Sequence, residues 1–174
     1  NTVVEEVIRK DKRIKTYDIA DGISAPKAVK INEVDQDKSI RIDMRNNELN
    51  RVLGGGLVPG SVVLVGGEPG IGKSTLMLQL ALSLNSMKVL YVSGEEGAEQ
   101  RKMRADRIGI ENEDCYILNE TNTQNIFTQI RNIKTDLIII DSIQTLNTEN
   151  IDSSAGSISQ VKECSAEFQR FAKT

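Results

Sequence analysis

The sequence predicts an α/β fold in which a mainly parallel, twisted sheet carries helices on both faces. Three observations predict it. A glycine-rich segment, Gly67-Glu-Pro-Gly-Ile-Gly-Lys73-Ser74, lies between an apolar run and a helical run. Beyond it, strand-like and helix-like segments alternate, which gives a parallel sheet covered on both sides. One of those strands, Asp136-Leu-Ile-Ile-Ile140, is apolar along its length and ends in Asp141. A chain of 174 residues suits one such domain with a core of its own.

Residues 1–46 form a lead-in of short strands expected to pack on the core, and residues 47–174 form the core itself. Val3–Ile8 can make a strand, Arg9–Arg13 is charged, and Ser24-Ala25-Pro26 marks a break. Val29–Ile31 and Ile40–Ile42 alternate apolar with polar, as half-buried strands do, with a polar loop from Asn32 to Ser39 between them. Leu49, Val52 and Leu53 have helical spacing and run into Gly54-Gly55-Gly56, a stop. Pro59-Gly60 is a turn that launches a strand over Ser61–Gly66. A helix over Thr75–Ser86 is apolar on nearly every side and is expected to be buried against the sheet. Strands follow at Lys88–Ser93, Cys115–Leu118 and Asp136–Ile140, with helices at Ala98–Ile108 (closed by Gly109) and Thr123–Lys134. In the latter, Ile126, Phe127, Ile130 and Ile133 share one face. After a polar loop, a last helix has Ile158, Val161, Cys164 and Phe168 at helical spacing. No strand follows it, so the sheet reads as lacking at least one member, and the chain as a piece of a longer protein.

The glycine-rich segment fits a phosphate-binding loop at every defined position and has the strand–loop–helix setting the motif requires. Glycines at 67, 70 and 72 let successive N–H groups turn inward toward phosphate oxygens, and the next helix adds its own free N–H groups. The expected nucleotide-binding set is Gly67, Glu68, Pro69, Gly70, Ile71, Gly72, Lys73, Ser74 and Thr75. Lys73 would reach the β- and γ-phosphates of ATP, and the Ser74 hydroxyl would ligate Mg²⁺.

Asp141, at the carboxyl end of its strand, is the second candidate for Mg²⁺. Glu95 and Glu96 follow the strand Lys88–Ser93, where such sheets place their ligands. One of them can activate an attacking water, or the pair can be the acidic first turn of the next helix; spacing alone favours neither. That helix carries Arg101, Lys102, Arg104 and Arg107. Most of them read as a solvated face with pairs such as Glu99–Lys102 and Lys102–Asp106, while Arg104 is kept as a candidate to lie over a nucleotide base. The Ser153, Ser154, Gly156 and Ser157 loop is a connector or a segment that orders on a nucleic-acid backbone.

Composition excludes some chemistry. The absence of His removes imidazole catalysis and His-ligated metal. Cys115 and Cys164 are too far apart for a CxxC motif, so they are expected to be two buried thiols. A net charge of −3 gives no global pull toward polyanions, and 3% aromatic residues argue against a base-stacking surface of the single-strand-binding type. No run has the length of a membrane span, which suggests a cytoplasmic protein with no membrane partner.

The motifs in combination resemble the RadA/Sms DNA repair proteins of bacteria. Leu53-Gly-Gly-Gly-Leu-Val-Pro-Gly60-Ser61, the phosphate loop, Tyr91-Val-Ser-Gly-Glu-Glu96, Asp141-Ser-Ile-Gln-Thr145 and Gly156-Ser-Ile-Ser-Gln-Val-Lys-Glu163 carry the resemblance. It implies a RecA-like P-loop NTPase core that hydrolyses ATP, assembles as a hexameric ring on single-stranded DNA, and drives branch migration beside a RecA-type recombinase. By the same resemblance Glu95 is the catalytic glutamate, with Glu96 its alternate, and Arg104 falls at the base-stacking position. The loop before Ile158 matches the first DNA-binding loop. The family's four-cysteine zinc finger, its γ-phosphate sensor, its Lys-Asn-Arg-Phe-Gly motif and its Lon-protease-like domain are not among these residues, and Arg45-Asn46-Asn47 replaces the usual Thr-Gly. A KaiC-like switch acting on protein partners is the alternative reading; a peptidase has no support in the residues present.

Overall fold

The computed structural model describes residues 28–33 and 40–173. The chain divides between Asp37 and Lys38 into two units. In the described stretch of the first, Ile31–Glu33 is a single 3-10 turn closed by the Glu33 N–H on the Lys30 carbonyl at 2.8 Å. The strand expected at Val29–Ile31 is not formed; both apolar residues are exposed and no strand among the described residues pairs with them. The expectations at Val3–Ile8, Arg9–Arg13 and Ser24–Pro26, and most of the loop before Ser39, lie outside the described residues.

The second unit holds α1 (Asn47–Val52), α2 (Lys73–Ser83), β1 (Val89–Val92), α3 (Ala98–Ile108), β2 (Cys115–Leu118), α4 (Thr123–Ile133), β3 (Leu137–Ile140), a 3-10 turn at Ile143–Thr145, and α5 (Ile158–Phe171). The strands form one parallel sheet in the order β2-β1-β3, with Val89 opposite Cys115 on one side and Leu137 on the other. Local chemistry sets the helix ends. Asn46, Asn122 and Ser157 accept backbone N–H groups as N-caps of α1, α4 and α5. Gly109, at φ 71°, closes α3 in the left-handed conformation. The replaced segment before α1 has a local solution: Arg45 takes φ 53° with its N–H on the Asp43 carboxylate at 2.9 Å.

Alternation along β1 builds two cores. Val89 and Tyr91 pack with Leu78, Ala81 and Leu82 of α2, with Ala105 and Ile108 of α3 alongside. Leu90 and Val92 turn the other way, onto Ile126, Phe127 and Ile130 of α4 and Cys164 and Phe168 of α5. Phe127 stacks on Phe171 with ring centroids 4.7 Å apart. Helices thus cover both faces, as the sequence predicts.

Several expectations fail for identifiable reasons. Ser61–Gly66 is not a strand: Val62, Val63, Leu64 and Val65 are 40–84% exposed, and no strand among the described residues flanks them. An apolar run without ladder partners has no way to satisfy its backbone as a strand. Ile40–Ile42 reduces to a single antiparallel bridge between Ile42 and Leu57. That bridge needs Gly56, at φ 133°, where an added Cβ would stand 2.5 Å from the Ile42 carbonyl oxygen. Helix α2 leaves Leu76 exposed, so only part of its circumference is buried. Strand β3 flanks the sheet on one side only, and of its four residues Ile139 alone is fully buried. On α5 the buried face is Gln160, Cys164, Glu167 and Phe168, whereas Ile158 is 76% exposed. Cys164 is fully buried, but Cys115 only half.

Candidate nucleotide site

The phosphate loop is solvent-facing from Gly67 to Gly72 and ends where α2 begins at Lys73. Gly70 and Gly72 have φ of 81° and 101°, and a Cβ at either would meet nothing within 4 Å. Their requirement is therefore one of backbone conformation and not of space. The loop curls around the Lys73 ammonium, which donates to the carbonyls of Gly67 and Glu68, each at 2.8 Å. Glu68, Pro69, Ile71 and Thr75 lie on this exposed loop and first helical turn, with Ser74 half-buried beside Lys73.

Strand β1 delivers the next part. Tyr91 donates its hydroxyl to Asp141 Oδ2 at 2.6 Å, and the same hydroxyl is 3.4 Å from the Ser74 carbonyl oxygen. Asp141, just past β3, is thus brought to the first turn of α2. The Asp141–Ser142 peptide is cis. The Ser142 hydroxyl donates to Glu95 Oε1 at 3.3 Å, joining the loop after β1 to the end of β3. A continuous set of contacts therefore runs from Ser74 through Tyr91, Asp141 and Ser142 to Glu95.

The two glutamates are unlike. The Glu95 side chain is exposed and, among the described residues, has only the long Ser142 contact given above, whereas Glu96 pairs with Arg104 at 2.6 Å. Arg104 also borders a groove of about 190 Å³ with Gln100, Met103 and Arg107. Of the basic residues on α3, Lys102 pairs with Asp106 at 2.7 Å as a solvated pair, but Arg101 is 1% exposed. Its guanidinium donates to the Glu96 carbonyl. Reading Arg101 as part of a solvated face is thereby corrected; the long side chain turns inward over Tyr91.

The loop before α5 is tied down more firmly than its composition suggests. Ser157 caps α5, and Ser153 gives its carbonyl to Gln160 Nε2 at 2.8 Å. Ser154 and Gly156 are exposed. Buried Gln160 also bonds the Thr148 backbone at both N–H and C=O, and buried Glu167 accepts from the Thr148 hydroxyl and from Asn150. Sequence reasoning missed Tyr91, Ser142 and this network. The available signal was Gln160 and Glu167, two polar residues on the helix face shared by Cys164 and Phe168.

Sequence comparison decides the family. The family model for the AAA domain matches residues 26–174. The chain belongs to the AAA domain family. As a whole this AAA domain is 49% identical over 177 residues to DNA repair protein RadA of Halalkalibacterium halodurans. It is 49% identical over 175 residues to the RadA of Streptococcus pyogenes serotype M6, and 44% over 177 residues to that of Bacillus subtilis. Each alignment takes in 100% of the chain, so the resemblance read from the motifs holds along its length. The AAA domain spans only 38–39% of those relatives. No helix among its described residues is long and apolar enough to cross a membrane.

Proposed function

We propose that this chain is the ATP-binding and ATP-hydrolysing core of a RadA-type DNA repair motor. The observation that carries the proposal is the run of contacts linking the phosphate-loop helix to Asp141 and Glu95 across the C-terminal end of the sheet. In open α/β sheets that end is where ligands bind.

The residues present fit a magnesium nucleotide. Ser74 and Asp141 offer a hydroxyl and a carboxylate, the hard oxygen donors Mg²⁺ takes, and Tyr91 lies between Asp141 and the Ser74 backbone carbonyl. When bound, the ion would supply charge neutralisation between the β- and γ-phosphates. Lys73 leaves its loop carbonyls for phosphate oxygens and offsets the negative charge that develops there. The N–H groups of Gly67–Thr75 cradle the phosphates. Glu95 orients and deprotonates the attacking water; Glu96, engaged by Arg104, is the reserve. Arg104 is the residue offered to the base.

The output is movement of single-stranded DNA and branch migration, in a homo-oligomeric, hexameric ring working beside a RecA-type recombinase in the cytoplasm. Ser154 and Gly156 present the exposed part of the DNA loop, with Ser153 and Ser157 holding its two ends. The relatives' name, DNA repair protein RadA, and the RadA-like Gly156–Glu163 motif support this over a protein-directed switch.

Calorimetry of ATPγS binding with Mg²⁺, with and without single-stranded DNA, tests the proposal. Binding strengthened by DNA is expected, and Lys73→Ala should abolish it. Binding indifferent to DNA would leave the phosphate site standing and move the function to the switch reading. Micromolar affinity retained by Lys73→Ala would contradict the loop assignment. Glu95→Gln should bind ATP without turning it over; an unchanged rate would hand the role to Glu96.

A further inference from the structure

Tyr91 lies in the central strand on the face turned toward α2, and it is 1% exposed. A phenol in that position buries a hydroxyl that must find an acceptor. Its single proton has two oxygens in reach, the Asp141 carboxylate at 2.6 Å and the Ser74 carbonyl at 3.4 Å, and the short charged contact takes it. Against the ring lies Arg101, its Cζ 5.9 Å from the centroid. The Arg101 Nη2 donates to the Glu96 carbonyl, while Nε and Nη1 are buried with no acceptor among the described residues. A guanidinium this poorly partnered is held in place by its packing and by the ring face.

We infer that Tyr91 is a positioning residue for Asp141, and that Arg101 is the prop that fixes its ring. With Oδ2 engaged by the phenol, Oδ1 is the oxygen left to accept from the water shell of a cation. Because Arg101 also holds the Glu96 carbonyl, the same prop fixes the end of the acidic loop that bears Glu95, where α3 begins. The inference rests on the phosphate-site reading above and assigns to it two side chains that touch neither phosphate nor water.

The test is the Mg²⁺ dependence of ATPγS affinity, measured by calorimetry on the whole chain in Mg²⁺ and in EDTA. Tyr91→Phe keeps the ring and removes the donor. It should lose about tenfold of the affinity gained from Mg²⁺ while the EDTA value stays within about twofold. On an Asp141→Asn background the same substitution should cost nothing further, since both act through one contact. Equal weakening in Mg²⁺ and EDTA, no change in either, or full additivity with Asp141→Asn would overturn the inference. Arg101→Lys is the second variant should Tyr91→Phe not fold; it keeps the charge and loses the planar fork, and the same selective loss is expected in smaller degree. A wild-type chain that binds no magnesium nucleotide would take down the phosphate-site reading and this inference together. Mg²⁺-strengthened binding untouched by both variants would remove this inference alone.

Discussion

Val62-Val-Leu-Val65 and Val89-Leu-Tyr-Val92 are nearly the same four-residue phrase, yet they have opposite fates. The second is the central strand, with no residue more than 1% exposed and a parallel partner on each side. The first is exposed at every residue and carries no ladder among the described residues. The difference teaches that an apolar run earns burial from its neighbours, because the strand backbone is satisfied only by strands beside it.

Hydrogen exchange should give the largest contrast. Amides of Leu90–Val92 are expected to exchange only through global unfolding, at least ~1,000-fold slower than those of Val62–Val65. Comparable rates in the two segments would break the comparison outright. Side-chain truncation comes next. Leu90→Ala should cost about 2–5 kcal/mol in urea unfolding, against no more than about 0.5 kcal/mol for Leu64→Ala. A large cost at Leu64 would mean that the segment is buried in solution.

The glycines that end the two runs sharpen the contrast further. At Gly94 an added Cβ would meet Thr121 Cγ2 at 2.6 Å and Thr145 Oγ1 at 2.7 Å, where the segments after β2 and β3 close over the end of β1. At Gly66 it would meet nothing within 4 Å. Thermal melts should therefore show a loss of about 1–3 kcal/mol for Gly94→Ala and little change for Gly66→Ala. The smallest effect belongs to the start of β1, where Asp136 accepts the Lys88 N–H at 2.8 Å on an exposed edge. Asp136→Ala should cost about 1 kcal/mol, more than Ser61→Ala, whose hydroxyl serves only its own turn at Val58.

Elements whose cause is local were legible in the sequence. Gly109 ends α3, and Gly70 and Gly72 give the glycine-rich loop its turns, whereas the caps Asn122 and Ser157, equally local, were not read as such. The Ile126, Phe127 and Ile130 face of α4 was equally plain, since its period is written in one segment. What depends on distant segments was not legible. Arg101 looks solvated until Tyr91 and the Glu96 carbonyl are placed beside it. Ser61–Gly66 looks like a strand until its flanks are examined. At the candidate site, the glycine-rich loop and Asp141 could be singled out as candidates, but the phenol beside both could not, because β1 and β3 meet only in the folded chain.

The buried network around Thr148 also limits the routes by which this sequence can drift. Gln160 and Glu167 both bond Thr148 inside the core, with Glu167 Oε2 without a partner among the described residues. Losing the Thr148 hydroxyl leaves Glu167 its Asn150 contact, and losing Gln160 leaves the Thr148 backbone N–H and C=O without their side-chain partner, so each change costs part of the network beside Cys164 and Phe168. Substitutions at these three positions are therefore coupled, each changing what the other two can tolerate. Descendants of this chain should change these positions together more often than singly.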